Sequence, residues 1–158
     1  MTHDVISVLT FKSVQTILQT GGTQSWALEP SRARNCKFAV LCRNANTREA
    51  EGNEPHGTAF MVGKISAIVP STETEGRWLI LFSGYALCDW ADQWDGRNPV
   101  RYWTTDDYAG FDFDALVFQP LPVSKRPQIR NMTISDAKIG LSKTFGVPIE
   151  AIEITIRA

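Results

Sequence analysis

Three apolar segments follow one another along the chain, and they restrict the fold more than any other feature of the sequence. They are residues 37–44 (KFAVLCRN), 57–70 (GTAFMVGKISAIVP) and 77–85 (RWLILFSGY). Their β-branched and aromatic residues, bounded by turn-forming residues, predict three strands. The connections between them are too polar or too short to hold a crossover helix, so we expect neighbouring strands to pair antiparallel.

The length and patterning of these segments also predict a curved sheet. Segment 57–70 is too long for a flat strand, and Gly63 is the expected position of a bend or bulge. Segment 37–44 is apolar on both sides, which indicates a central strand. We therefore predict an α+β fold in which an antiparallel, strongly curved or barrel-like sheet carries short flanking helices.

The two ends of the chain contain the predicted helices. Residues 5–9 read as a strand, after which Thr10 would cap a helix through Val14, Ile17 and Leu18 that ends at Gly21-Gly22. Residues 26–34 read as a loop or a short helical turn, and residues 116–120 as a last short strand. Together these segments define a main body over residues 1–122.

Residues 123–158 are predicted to form a proline-containing linker and a C-terminal helix–strand unit. Ser135 would cap the helix and Gly146 would end it. Ile152, Ile154 and Ile156 alternate with polar residues, which is typical of a half-buried strand. Since such a small unit is not stable alone, we expect it to dock on the main body and complete a single compact domain.

Composition excludes several classes of protein. A net charge of −1 gives no global attraction to nucleic acid or membranes, although residues 30–48 hold five basic residues and no acid. No stretch approaches 18 apolar residues, and no charged segment precedes an apolar run at the N-terminus. We expect a cytoplasmic monomer or homodimer with no membrane association.

Cysteine spacing predicts free thiols rather than a disulfide or a zinc site. Cys36 directly precedes the predicted strand 37–44 and Cys42 lies within it, six positions apart. In an extended chain that is roughly 20 Å at about 3.3 Å per residue, which is beyond disulfide reach. Neither a CxxC motif nor a cysteine–histidine cluster is present.

Signals for catalysis are few. No dinucleotide or Walker-type phosphate loop is present, and Ser83 lacks the context of a hydrolase nucleophile. The aspartates at positions 89, 92 and 95 do not follow the EF-hand pattern. We therefore expect no cofactor and no metal, and we expect a non-enzymatic protein. The enzyme alternative would use His56, Ser83 or the cluster from Asp89 to Asp95.

Arginine, asparagine and aromatic residues gather where the predicted strands end, and these types suit a planar anionic ligand. Aromatic faces stack on bases, arginine contacts phosphate, and an asparagine amide can hydrogen-bond a base edge. We expect the aromatic residues to stack, the asparagines to read the edge and the basic segment to contact phosphate. The candidate ligand-binding residues are Trp26, Arg32, Arg34, Arg43, Asn44, Arg97, Asn98 and Tyr102.

The region from about residue 26 to residue 122 resembles the PUA-like superfamily, which includes EVE-like and ASCH-like domains. The resemblance lies in Trp26-Ala27-Leu28, in the three strand segments given above and in residues 97–102 (RNPVRY). It covers about 60% of the chain and lies in the order of elements more than in a specific motif. It implies a compact curved β-barrel whose cleft binds RNA or a modified nucleobase, and it transfers no catalytic residue.

Two functions are compatible with the sequence besides the small-molecule enzyme. The leading expectation is a recognition module for nucleic acid, either RNA or modified DNA, or for a modified nucleobase. The other is a structural or protein-interaction domain that uses exposed Trp90 and Trp94 as its contact patch. Convergence of the tryptophan and arginine side chains on one concave site would favour the first of these.

Overall fold

The computed structural model describes residues 3–108, 112–122 and 133–157. The chain divides into two compact units, Met1–Arg126 and Pro127–Ala158, and each is described by itself. The linker predicted from residue 123 onward lies outside the described residues.

The described part of the first unit is an α+β structure built on one sheet. Its strands are β1 (Val5–Thr10), β2 (Gly22–Trp26), β3 (Phe38–Arg43), β4 (Ala59–Pro70), β5 (Trp78–Trp90), β6 (Val100–Trp103) and β7 (Gln119–Pro120). Its helices are α1 (Val14–Thr20) and α2 (Pro30–Ala33), with single 3₁₀ turns at Thr105–Asp107 and Phe113–Ala115. The predicted α+β class with few, short helices is confirmed.

The sheet is mixed, which corrects the antiparallel prediction. Its strand order is β2-β5-β4-β3-β1-β6, with β7 added beside β5. The pairs that involve β3, β4 and β5 consecutively are antiparallel as expected, but β1 and β3 run parallel from Val5–Phe38 to Thr10–Arg43. The connection from β1 to β3 contains α1, β2 and α2, so it is long enough for a parallel crossover. A prediction that pairs only strands consecutive in sequence misses the parallel pairing of β1 with β3.

The sheet curls into an open half-barrel, and its irregularities lie where the strands bend. Register shifts between β4 and β5 occur at Lys64–Ile65 and at Ile65–Ala67, directly after the predicted bend at Gly63. The Phe82 ring packs onto the bare Cα of Gly63, where a Cβ would come within 2.5 Å of the ring. The bend is thus filled by an aromatic side chain from the neighbouring strand.

Apolar clusters cover both faces of the sheet. Alternate residues of the central strand β3 belong to different clusters. Ala39 and Leu41 belong to the cluster on one face, which we call the inner cluster, whereas Val40 and Cys42 belong to the cluster on the other face, the outer cluster. Aromatic residues from segment 88–118 cover the outer face, and Phe38 stacks there on Phe113 with ring centroids 5.1 Å apart. The prediction of a central strand buried on both sides is confirmed.

Two helices begin at caps other than those predicted. The hydroxyl of Ser13, not that of Thr10, accepts the hydrogen bond from the Thr16 N–H at the start of α1. In the second unit, helix α3 (Ile134–Phe145) is capped by Thr133 rather than by Ser135, and it ends at the predicted Gly146. Ser13 and Thr133 are better placed because each lies three residues before the N–H that it binds.

The second unit contains no strand within its described residues. After α3, a 3₁₀ turn spans Ile149–Ala151, and residues 152–157 have no regular secondary structure. The strand predicted at Ile152, Ile154 and Ile156 is therefore wrong, because alternation alone supplies no partner strand to pair with. The expected docking of this unit stays a prediction.

Candidate ligand-binding cleft

A cleft of about 760 Å³ opens between the two free margins of the curled sheet. One wall is the segment that leads from β2 into α2, and the other is β6 with the turn before it. The lining residues are Ala27, Leu28, Glu29, Arg32, Gly76, Asn98, Val100, Arg101, Tyr102 and Trp103. We refer to this surface as the Tyr102 cleft.

Hydrogen bonds from main-chain N–H groups to side-chain oxygens hold the walls of the Tyr102 cleft in place. The Tyr102 hydroxyl accepts a hydrogen bond from the Glu29 N–H at 3.2 Å and so joins the two walls. The Asn98 Oδ1 accepts from the Val100 N–H at 3.2 Å. This bond spans Pro99 and fixes the turn that leads into β6, which leaves the Asn98 amide nitrogen to donate elsewhere.

A cation packed on an aromatic ring lines the cleft. The Arg32 guanidinium carbon lies 4.0 Å from the centroid of the Tyr102 ring, and Arg32 Nη2 lies 3.0 Å from His3 Nδ1. Burial raises the pKa of Tyr102 above its usual range, against smaller opposing contributions from the Glu29 N–H and Arg32. The hydroxyl therefore keeps its proton at neutral pH, and while it accepts from Glu29 that proton can be donated to a ligand.

A second arginine lines the cleft from β6. The Arg101 guanidinium carbon lies 5.1 Å from the Trp94 ring and 6.0 Å from the Trp103 ring, and it is paired with the exposed Asp95. Arg101 was not among the predicted residues. Its position directly before two aromatic residues, in the run Val-Arg-Tyr-Trp, was the available signal.

The structure brings three of the eight predicted residues together in the cleft: Arg32, Asn98 and Tyr102. Trp26 is half-buried against the inner cluster, and its Nε1 donates to Thr23 Oγ1 at 3.0 Å. Arg34 lies elsewhere, donating to the Ile68 carbonyl at 3.3 Å, with its guanidinium 5.8 Å from the Trp78 ring.

The other predicted residues also lie outside this cleft. Asn44 accepts the Asn46 N–H within its own loop, and Arg97 is an exposed residue two positions before Pro99. Arg43 is completely buried and forms an ion pair with Glu54, so its guanidinium does not face the cleft. Alternation along β3 could not reveal this, because Glu54 belongs to a separate loop.

Residues of the enzyme alternative make local hydrogen bonds. His56 Nδ1 accepts from the Ala45 N–H at 3.2 Å, and Ser83 Oγ donates to the Lys64 carbonyl at 3.4 Å. Among the described residues no group of three or more histidines, cysteines or acids is arranged to hold a metal ion.

The three cysteines are free thiols. Burial raises the pKa of Cys36 to about 11 and that of Cys42 to about 12. Burial likewise raises the pKa of Cys88 to about 11. A thiol with such a pKa is almost fully protonated at neutral pH and is a poor nucleophile.

The tryptophans proposed as a contact patch are largely covered. Trp94 is buried, and Trp90 is half-buried with its ring centroid 5.3 Å from that of Tyr108. The expectation that Trp94 is exposed is wrong, because it packs in the outer cluster.

No protein-family model matches the chain, and neither a curated protein nor a solved structure is significantly similar to it. Within the described residues, no helix has both the length and the apolar character needed to cross a membrane.

Proposed function

We propose that this protein is a non-enzymatic recognition module of the PUA-like kind, EVE-like or ASCH-like, that acts in the cytoplasm. It binds a nucleotide of RNA or of modified DNA in the Tyr102 cleft. The observation that carries the proposal is the grouping of Arg32, Asn98, Arg101 and Tyr102 on one concave surface.

The chemistry of the cleft suits one nucleotide. Arg32 forms no ion pair with a carboxylate of the described residues, whereas Arg101 is paired with the exposed Asp95, and Glu29 is the single carboxylate of the lining. A phosphate can bind Arg32 directly and can replace Asp95 at Arg101. The Tyr102 ring offers aromatic surface for a base, and stacking contributes about 1–3 kcal/mol per base. The Asn98 amide supplies a donor for a base edge.

The size of the cleft favours a single-stranded ligand. At about 760 Å³ it falls within the range of small-molecule sites and is too small for a duplex to enter. A base must therefore leave its stack to be bound, which costs least in a single strand.

Fluorescence anisotropy with labelled ten-nucleotide strands tests the proposal. The ligands are single-stranded RNA, single-stranded DNA with and without methylated bases, and the matching duplexes. We expect single strands to bind more tightly than duplexes. If Arg32 and Arg101 each neutralise one phosphate, the affinity falls with salt at a log–log slope of about −1.4.

Arg32→Ala is the decisive variant, and the exposed Arg48→Ala is its matched control. Loss of Arg32 should flatten the salt slope by about 0.7, whereas Arg48→Ala should leave it unchanged. Asn98→Ala should weaken binding about tenfold, as expected for loss of a base-edge contact. Equal effects of Arg32→Ala and Arg48→Ala, or no binding to any strand, would contradict the proposal.

A further inference from the structure

A second concave surface lies in the same unit, away from the residues that line the Tyr102 cleft. It has a volume of about 660 Å³ and is bounded by residues 13–15, by the loop 51–55 and by Leu87, Cys88 and Asp89 of β5. Arg43 and Phe60 also line it. We refer to it as the Arg43 pocket.

One nitrogen of a buried arginine at the Arg43 pocket lacks a partner within the described part of the chain. The Arg43 side chain is completely buried, with its guanidinium carbon 4.1 Å from the centroid of the Phe60 ring. Nε donates to Glu54 at 2.9 Å, and Nη1 donates to the Thr10 and Lys12 carbonyls at 3.2 and 2.6 Å. Nη2 has no hydrogen-bond partner among the residues that the structure describes. Since buried polar groups are almost always satisfied, this donor indicates an acceptor from outside the chain.

Gly52 separates Nη2 from the open pocket. A Cβ at this position would stand 2.6 Å from Nη2, so only glycine leaves the guanidinium uncrowded. Gly52 belongs to neither a helix nor a strand. A ligand oxygen would reach Nη2 if the main chain at Gly52 were displaced.

The remaining charges select the ligand. Glu51, Glu54 and Asp89 line the pocket against the single cation of Arg43, so the lining is negative overall. Glu54 is already paired with Arg43, and Glu51 accepts hydrogen bonds from the Ser13 N–H and the Thr16 hydroxyl. Asp89 is exposed on β5. An anionic ligand would be repelled here, whereas a cationic side chain is attracted.

The Arg43 pocket also presents an exposed apolar side chain beside its charged groups. Leu87 is 58% exposed and stands beside Asp89 on the rim. A ligand that satisfies the pocket needs a neutral oxygen acceptor for Nη2, a cation for Asp89 and an apolar group for Leu87. A polypeptide offers all three, because its main chain has a carbonyl at every residue.

We infer that the Arg43 pocket binds a basic, leucine-containing segment of a partner polypeptide. A main-chain carbonyl of that segment accepts from Arg43 Nη2, a lysine or arginine faces Asp89, and an apolar side chain rests on Leu87. This inference does not depend on the function proposed for the Tyr102 cleft.

Amide chemical-shift mapping of the whole ¹⁵N-labelled protein tests the inference. The probe is a capped peptide of alternating lysine and leucine, and the comparison peptide alternates glutamate and leucine. We expect saturable shifts at residues 13–15, 51–55 and 87–89 and at the Arg43 Nε–H, with the basic peptide alone.

Two surface variants separate specific binding from general attraction. Asp89→Lys should weaken binding at least tenfold, and Leu87→Ser at least threefold. Asp114→Lys makes the same charge change at another exposed aspartate and should leave the affinity within twofold. Equal loss in both lysine variants, shifts that lie in the Tyr102 cleft, or no saturation at millimolar peptide would each overturn the inference.

Discussion

Arg43 is a buried charged residue, and its effect on the stability of the folded protein depends on its ion pair with Glu54. The Arg43 side chain is 1% exposed and that of Glu54 is 32% exposed. Removing one member of such a pair leaves the other buried and uncompensated, which costs more than the pair itself contributes.

Glu54→Gln should reduce the free energy of unfolding at pH 7 by about 2–3 kcal/mol, less than for a fully buried pair because Glu54 is partly exposed. Burial disfavours the ionised carboxylate, but a main-chain hydrogen bond and Arg43 outweigh it, so the pKa of Glu54 lies below its ordinary 4.5. The stabilisation that the ionised Glu54 carboxylate gives the folded protein is therefore complete above pH 4.5. It is lost as the pH falls through the lowered pKa of Glu54. Urea unfolding at pH 7 and at pH 3 measures it.

The exposed Glu75→Gln is the control for this prediction. It makes the same chemical change without a buried partner, so its effect should stay within about 0.5 kcal/mol at both pH values. A Glu54→Gln penalty that is as large at pH 3 as at pH 7 would show that shape rather than charge is responsible.

Residue types were easier to predict from sequence than their surroundings. The grouping of arginine, asparagine and aromatic residues predicted a binding surface, and Arg32, Asn98 and Tyr102 do line one cleft. Arg34 and Arg43 have the same chemistry but are engaged by Ile68 and Glu54, far away in the sequence. Such contacts follow from the tertiary fold, which local patterns do not contain.

At the scale of elements, the contact between β4 and β5 depends on a glycine. Gly63→Ala would place a Cβ within 2.5 Å of the Phe82 ring, and Phe82 is only 2% exposed, so it has little room to move. We expect a loss of about 1–3 kcal/mol from overpacking. Thermal unfolding monitored by circular dichroism measures it.

A double-mutant cycle identifies the cause of that loss. Phe82→Leu removes the ring that the new methyl group meets, so Gly63→Ala should cost less in the Phe82→Leu background than in the wild-type protein. Additive costs would mean that the backbone at Gly63, rather than the ring, resists substitution.

Strands could be predicted from the sequence where burial gives them a long apolar run. Short strands that form only because they pair with a neighbouring strand could not be predicted. β3, β4 and β5 carry long apolar runs and were found. β2 reads Gly-Thr-Gln-Ser-Trp and β6 Val-Arg-Tyr-Trp, both too short and too polar to stand out. Each becomes a strand by pairing with an apolar neighbour, β5 and β1 respectively.

At the scale of the whole first unit, one hydroxyl joins the two margins of the half-barrel. Tyr102→Phe removes the acceptor of the Glu29 N–H but keeps a ring beneath Arg32. We expect a loss of about 1 kcal/mol and faster hydrogen exchange at the Glu29 amide. Exchange measured by NMR reports the local effect directly.

Tyr85→Phe provides the comparison, since the Tyr85 hydroxyl donates to Gln119 at 3.3 Å and does not touch the cleft. It should leave exchange at Glu29 unchanged. If both variants accelerate exchange at Glu29 equally, the effect reflects general destabilisation rather than the link between the margins.

The position of β1 in the sheet has a consequence for how the chain folds. β1 is made first, yet it pairs with β3 on one side and with β6 on the other, so that Val5 lies opposite Trp103. The second of these pairings closes a loop of nearly a hundred residues, whose entropy cost must be met before the contact forms. During synthesis, one edge of β1 therefore stays without its neighbour until β6 has emerged. Folding dominated by such distant pairings is slow, on the order of milliseconds to seconds.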